Sequence, residues 1–299
     1  MLHLTQLKRR IRSVNTTQKL THAMRLISMS LYSKLDKQRN AIEHHKSALQ
    51  EVFSEVFTQC EGYTNPILLP EDILNSSPLI IIVSATKGFC GGLNANLFRY
   101  LEHKLFVEEH QKPTFITIGQ KATTFVEDKK LGSILEKHHG LNSNNFSVIA
   151  KNIAQTISKQ TPSFSSVTMF STQLKNFFAQ IPQKNKIVPL EQTPAKQQAS
   201  KSRKPMGAVY SQKTISPETD IIWEQEQREI VDFLAERYLN NTLTNNLLQA
   251  LFSEYASRFV AMDSATNNAE KYLDNLTLQF NKLRQAMITR EVCELSANL

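Results

Sequence analysis

All eighteen glycines and prolines of this 299-residue chain lie between Gly62 and Pro217. The first 61 residues contain neither, and nor do residues 218–299. Gly and Pro are the strong helix breakers, costing roughly 1 and 3 kcal/mol in a helix interior. Two terminal stretches free of both predict long helices over 1–61 and 218–299, bracketing a compact domain at 62–217. At about 1.5 Å per residue such rods reach roughly 90 Å and 115 Å, more than a domain of that size needs for its own core.

The apolar pattern of the rods is that of a coiled coil. In the first, Leu4, Leu7, Ile11 and Val14 step by threes and fours, and the same register holds Leu35, Ile42, Leu49, Phe53 and Val56. Between them it passes through Gln18, Thr21, Arg25 and Ser28, where the apolar stripe drifts to Met24, Ile27 and Leu31. In the second rod, Leu248, Leu251, Tyr255, Met262, Ala265, Ala269, Leu273, Leu276, Phe280, Leu283 and Met287 keep the spacing over about five heptads. Its acidic residues are dispersed and read as a solvated face. A chain that leaves and re-enters one folded domain pairs these rods most simply as an antiparallel, intramolecular coiled coil. Charge agrees. Residues 1–61 carry ten Lys/Arg against five Asp/Glu, while 218–299 carry seven against thirteen, so unlike rods attract and like rods repel. On periodicity alone, an inert stalk or a long helical bundle fits as well.

The middle reads as alternating β and α elements. Pro78–Ser84 is a buried strand. It leads through a glycine turn (Gly88, Gly91, Gly92) into a helix over Leu93–Leu105. A strand at Thr114–Gly119, helices at Gln120–Lys130 and Phe146–Gln160, and strands at 166–171 and 186–190 follow. The expected fold class is α/β: the long antiparallel coiled coil plus a central Rossmann-like domain with a mostly parallel open sheet. Residues 193–217 read as a flexible basic loop.

Chemistry-bearing motifs are sparse. The turn GFCGG is not GxGxxG, and GxxxxGK[ST], GxSxG and HExxH are absent. Gly88, Gly91 and Gly92 are assigned to a tight turn and close helix–sheet packing, with no catalytic, cofactor or metal residues. Cys60, Cys90 and Cys293 form no CxxC pair, which fits a reducing compartment. With 40% hydrophobic residues and no apolar run near 18 residues, a membrane span is not expected. The opening LTQLKRRIRSV lacks the apolar core of a secretory signal. The net charge of +8 invites a nucleic-acid reading, but no stripe of Lys/Arg interleaved with aromatics accompanies it. Two alternatives stay open on residues alone: a doubly wound enzyme with helical arms and a ligand beside Gly88–Gly92, and a nucleic-acid-binding coiled-coil protein.

Three stretches carry a resemblance. KRRIRSVNTTQKLTHAMRLIS (8–28), GFCGGLNANLFR (88–99) and EYASRFVAMDSATNNAEKYLDNLTLQFNKLRQAMITREVCEL (254–295) are similar to the N-terminal helix, glycine turn and C-terminal helix of the gamma subunit of F-type ATP synthases. They stand in the right order and anchor essentially the whole chain. The resemblance implies a non-catalytic rotor shaft that turns inside a ring of three alpha and three beta subunits. Its α/β domain then lies at the foot with the epsilon subunit and the membrane c-ring. It implies contacts to the alpha/beta ring at Met24, Arg25, Arg284, Gln285 and Thr289. It also implies indirect, peripheral membrane association at the cytoplasmic face of a bacterial inner membrane, with no cofactor, small-molecule substrate or nucleic-acid partner. The chain departs from that family at Leu31, where Lys is usual, at Arg290, where Gln is common, and in the basic stretch 195–204.

Overall fold

A computed structural model describes residues 2–59, 77–107, 113–160, 164–189 and 226–297. The N-terminal helix, α1, spans Leu2–Gln59 and the C-terminal helix, α5, spans Gln227–Ala297. These correspond to about 87 Å and 107 Å of rod. The expected boundaries at 61/62 and 217/218, the loop at 193–217 and Cys60 lie outside the described residues.

The two helices pair antiparallel. Thr21 meets Thr266, Arg25 meets Asp263 and Gln50 meets Tyr238, so one number falls as the other rises. The first register persists through the polar stretch: Gln18, Thr21, Arg25 and Ser28 are buried or half-buried along with the leucines above and below. The expected drift of the stripe is corrected at Ile27 alone, since Met24 and Leu31 are half-buried and Leu31 packs on the shared core. Ile27 is 58% exposed, whereas Ser28 is 1% exposed. Internal bonding makes the polar seam tolerable. The Thr21 and Thr266 hydroxyls meet at 2.9 Å, and the Ser28 hydroxyl donates to the Met24 carbonyl at 2.8 Å, so no buried hydroxyl is left unpaired there.

Between the helices the chain forms β1 (Ser77–Val83), α2 (Leu93–Val107), β2 (Thr114–Ile118), α3 (Gln120–Lys129), β3 (Ser133–His138), α4 (Phe146–Gln160), β4 (Phe164–Asn176) and β5 (Ala179–Val188). The sheet order is β3-β2-β1-β4-β5. β1 pairs parallel with β2 and β4, β2 parallel with β3, and β5 antiparallel with β4. The apolar run of β1 is buried on both faces, as a central parallel strand requires. Leu79, Ile81 and Val83 face a core shared with α4 and α5, while Ile80 and Ile82 face Leu97 and Leu101 of α2 and Ala122 and Val126 of α3. Thus α5 is at once half of the coiled coil and a layer of the α/β domain: Leu239, Leu243, Leu247, Leu251 and Tyr255 all lie in that core.

Gly119 joins β2 to α3 at φ +94°, and a Cβ there would stand 2.6 Å from both the carbonyl and the hydroxyl oxygen of Ser84. Only glycine lets this turn close on the end of β1, where the Ser84 hydroxyl accepts the Ala122 N–H. Two expectations are revised. β3 was not anticipated, because it is a half-exposed edge strand whose SILEKH sequence has no clean apolar alternation. The two last strands are longer than 166–171 and 186–190 and form one hairpin, turned at Phe177 and Phe178. The Asn176 carboxamide accepts the N–H groups of Phe178 and Ala179 at 3.1 and 2.7 Å, a side-chain turn signal that apolar periodicity does not register.

Candidate functional site

The glycine turn after β1 lies against α5. Gly91 takes φ +56° and Phe89, two residues earlier, takes φ +64°, the left-handed region in which an aromatic residue is uncommon. Around Gly88 nothing stands within 4 Å of where a Cβ would be, and at Gly92 the nearest atom is the Asn96 amide at 3.4 Å. Of the three, Gly91 is the one whose backbone conformation calls for glycine. The close partner of the turn is α5 rather than the sheet: Ala261 and Ser257 are the nearest groups to a Cβ at Gly91.

Three α5 side chains stitch the turn down. The Ser257 hydroxyl donates to the Cys90 carbonyl at 2.7 Å. The Arg258 guanidinium donates to the carbonyls of Lys87 and Gly88 at 3.4 and 3.5 Å, and to the Glu254 carboxylate at 2.5 Å. Glu254 is 6% and Arg258 7% exposed, so Glu254 does not belong to the solvated face expected for the acidic residues of this helix. Burial pushes the Glu254 carboxyl above the usual carboxylate range, and Arg258, the Thr86 N–H and Lys87 offset part of that rise. Burial likewise pushes the Cys90 thiol up, with Arg258 opposing, which makes it a packing residue rather than a nucleophile. Sequence reasoning missed Glu254, Ser257 and Arg258. The signal available was a charged i, i+4 pair within an apolar helical run.

In an open α/β sheet the ligand crevice lies outside the carboxyl ends of the strands, where strand order reverses. Here that place is between β1 and β4. It is filled by α5: Ala250 and Glu254, with Val83, Ala85, Leu141 and Thr172, enclose a cavity of about 10 Å³. That volume takes at most one water, and the polar residues lining it are Ser84, Thr172 and Glu254, the last paired with Arg258. Among the described residues, the switch point between β1 and β4 therefore has no room for a nucleotide-sized ligand.

The residues expected to contact a partner ring fall at two levels of the rod. Met24 and Arg25 are half-buried in the seam. Arg25 donates to Asp263 at 2.6 Å and lies 3.2 Å from His22 Nδ1. Leu20, Leu26 and Ile27, beside them on α1, face solvent. Arg284, Gln285 and Thr289 are exposed far along α5, roughly 30 Å beyond Asp263 at 1.5 Å per residue. Thr289 donates to the Gln285 carbonyl. Continued in the antiparallel register, the first turn of α1 reaches α5 near Arg284 and Gln285. Past this point every residue from Ile288 to Ser296 is exposed, with Ile288, Val292 and Leu295 along one helical stripe. The arrangement offers surfaces and no reacting group. Among the described residues no cluster of His, Cys, Asp and Glu has metal-binding geometry, and no helix is long and apolar enough to cross a membrane.

Comparison with known proteins gives the same picture along the whole chain. The ATP synthase gamma chain of Moorella thermoacetica is 28% identical over 299 residues, 99% of this chain and 98% of its own length. That of Desulforudis audaxviator is 29% identical, covering 98% and 96%. Among solved structures, a chain of the Euglena gracilis mitochondrial ATP synthase superposes with a TM-score of 0.65 at 14% identity, covering 99% of this chain and 93% of its own. One from the central stalk and c-ring of the Tetrahymena thermophila enzyme gives 0.54 at 20%, covering 82% and 99%. At such identities the two structures speak for a shared fold. A family model described as ATP synthase matches residues 3–298, and the chain therefore belongs to the ATP synthase family, in which the curated relatives aligned along its full length are gamma chains.

Proposed function

We propose that this chain is the central rotor shaft of an F-type ATP synthase, coupling ion flow through a membrane c-ring to the cycling of catalytic beta subunits. The observation that carries the reading is the shaft itself. An antiparallel coil of about 87 Å and 107 Å helices is rooted in an α/β domain, and its distal helix overhangs its partner with an exposed apolar stripe. In this reading the foot at 62–217 meets the c-ring and the epsilon subunit. The coil, 1–61 and 218–299, threads the alpha/beta ring. The complex stands at the cytoplasmic face of a bacterial inner membrane and moves protons. The chain itself takes no small-molecule substrate and no nucleic acid.

The mechanism follows from asymmetry. A two-helix rod has no threefold symmetry, so three surrounding beta subunits meet three different faces of it at any moment. A beta state that gains more contact with the face presented is favoured, and its affinity for ADP, phosphate or ATP shifts by that differential contact. Met24 and Arg25 at one level and Arg284, Gln285 and Thr289 at the other form the proposed contact positions. Arg284 supplies a planar fork of donors for carboxylates or carbonyls. Leu20, Leu26 and Ile27 add an apolar patch at the first level.

Two measurements test the reading. The chain purifies in stoichiometric complex with alpha- and beta-type subunits, and recovery only as a free monomer counts against it. A reversible disulfide between a cysteine at Gln285 and one introduced in a beta subunit stops ATP turnover until it is reduced. Turnover that continues at the full rate with the shaft locked refutes rotation.

A further inference from the structure

β4 pairs with β1 only as far as Phe170, opposite Ile82, yet its pairing with β5 runs on to Asn176, opposite Ala179. Residues 171–183 thus form a two-stranded arm past the end of the β1 pairing, roughly 20 Å long at about 3.4 Å per residue. A lone two-stranded ribbon is marginally stable in water; the base of this one is held by the buried Ser171 and Thr172 and by Leu174 packed on the shared core, and its tip is anchored by aromatic rings. The Phe177 ring stands edge-on to Tyr32 of α1, with centroids 5.1 Å apart, and to Phe259 of α5 at 5.3 Å. Tyr32 in turn meets Phe252 of α5 edge-on at 5.2 Å. The tip is preset for this contact. Asn176 Oδ1 accepts two backbone N–H groups, and the Gln180 amide donates to the Phe177 carbonyl at 3.0 Å.

The position of the anchor on α5 matters. At 100° per residue, Phe252 and Phe259 fall on nearly the opposite side of the helix from Ser257, Arg258 and Ala261, the residues that face the glycine turn. We propose that the β4–β5 arm is a strut that ties the sheet domain to the coiled coil, with Phe177 as its latch. The turn and the latch grip α5 from two sides, and the latch also holds α1, so the domain and both helices move as one body. In the rotor reading, on which this second half of the proposal rests, torque entering at the foot passes into the coil through that grip. Phe177 is a positioning residue: it touches no substrate and no reacting atom.

Hydrogen exchange on the full chain tests the latch. Phe177→Ala speeds amide exchange across 175–180 by about tenfold or more while β1 and β2 keep their protection. Tyr32→Ala, which removes the opposing ring, produces the same loosening by an independent route. Phe178→Ala loosens the arm less than Phe177→Ala, because that ring is 75% exposed and, among the described residues, its one aromatic contact is the latch ring itself, edge-on at 5.4 Å; an equal loosening counts against Phe177 as the latch. Unchanged exchange in both Phe177→Ala and Tyr32→Ala overturns the latch. In the assembled complex, Phe177→Ala keeps ATP hydrolysis but lowers protons pumped per ATP by about half or more. A loosened arm with an unaltered pumping ratio overturns the torque role. Failure of the unsubstituted chain to assemble or pump counts instead against the rotor reading and leaves the exchange result standing.

Discussion

Replacing Arg258 by methionine isolates what holds the glycine turn on the shaft. The guanidinium and the Glu254 carboxylate are 9% and 8% exposed as side chains, so the change leaves a buried carboxylate with only the Thr86 N–H and the more distant Lys87 to offset it. Breaking a buried pair on one side costs about 3–5 kcal/mol, a large part of the ~5–15 kcal/mol that holds a typical chain folded. At about 2–4 °C per kcal/mol this is a fall in Tm on the order of 10 °C. Adding Glu254→Gln removes the stranded charge and keeps an acceptor for Thr86. The double variant therefore regains about 2 kcal/mol or more, and the coupling follows when the loss in Glu254→Gln alone is included in the cycle. The pH dependence has a defined sign. Glu254 has a raised folded-state pKa, so the folded state binds this proton more tightly than the unfolded state does. Stability then falls as pH rises from the ordinary carboxylate range through the raised value. Arg258 holds that rise down, so its loss extends the window upward, and Arg258→Met is more damaging at about pH 8 than at about pH 5. Urea unfolding of the full chain, followed by circular dichroism at both pH values, measures this. A loss under about 1 kcal/mol, or one independent of pH, refutes the clamp.

Three further outcomes are expected. Gly119→Ala forces a Cβ against Ser84 at 2.6 Å with φ +94° and costs about 3 kcal/mol or more, read as lost soluble yield and lowered Tm; a Tm within a degree of the parent rules out the strain. Arg25→Ala, at a half-exposed ion pair, costs about 0.5–1 kcal/mol and less at high salt, and the swap Arg25→Asp with Asp263→Arg recovers it; a swap no better than the single change denies the pair. Thr266→Val removes the donor to the Thr21 hydroxyl, which keeps its own bond to the Gln18 carbonyl, and costs about 0.5–1.5 kcal/mol, while adding Thr21→Val costs little more; additive single losses in the double variant show that the hydroxyls do not act together.

Much of this molecule was legible in its residues because the deciding physics is local. The absence of Gly and Pro in 1–59 and 227–297 leaves α1 and α5 uninterrupted, and the heptad spacing of Leu4 to Val56 names the buried side of α1 correctly even through its polar middle. The run Leu79–Val83 announces a strand buried on both faces. What escaped was set by partners distant in sequence. Ser28 is buried and Ile27 exposed because α5 approaches one face only, so side-chain polarity alone misjudged the seam. Glu254 lies inside because the turn at 86–92 folds over it, and a charge on a helix carries no local sign of that cover. The candidate contact positions came from resemblance to a family, since Arg284, Gln285 and Thr289 have no distinguishing local chemistry. By itself the sequence determined the elements and their amphipathic faces, through propensity and periodicity acting over one or two turns. The tertiary structure alone decided that α5 plugs the crevice of the sheet and that Phe177 reaches the coil, because burial and ring contacts depend on atoms brought together from opposite ends of the chain.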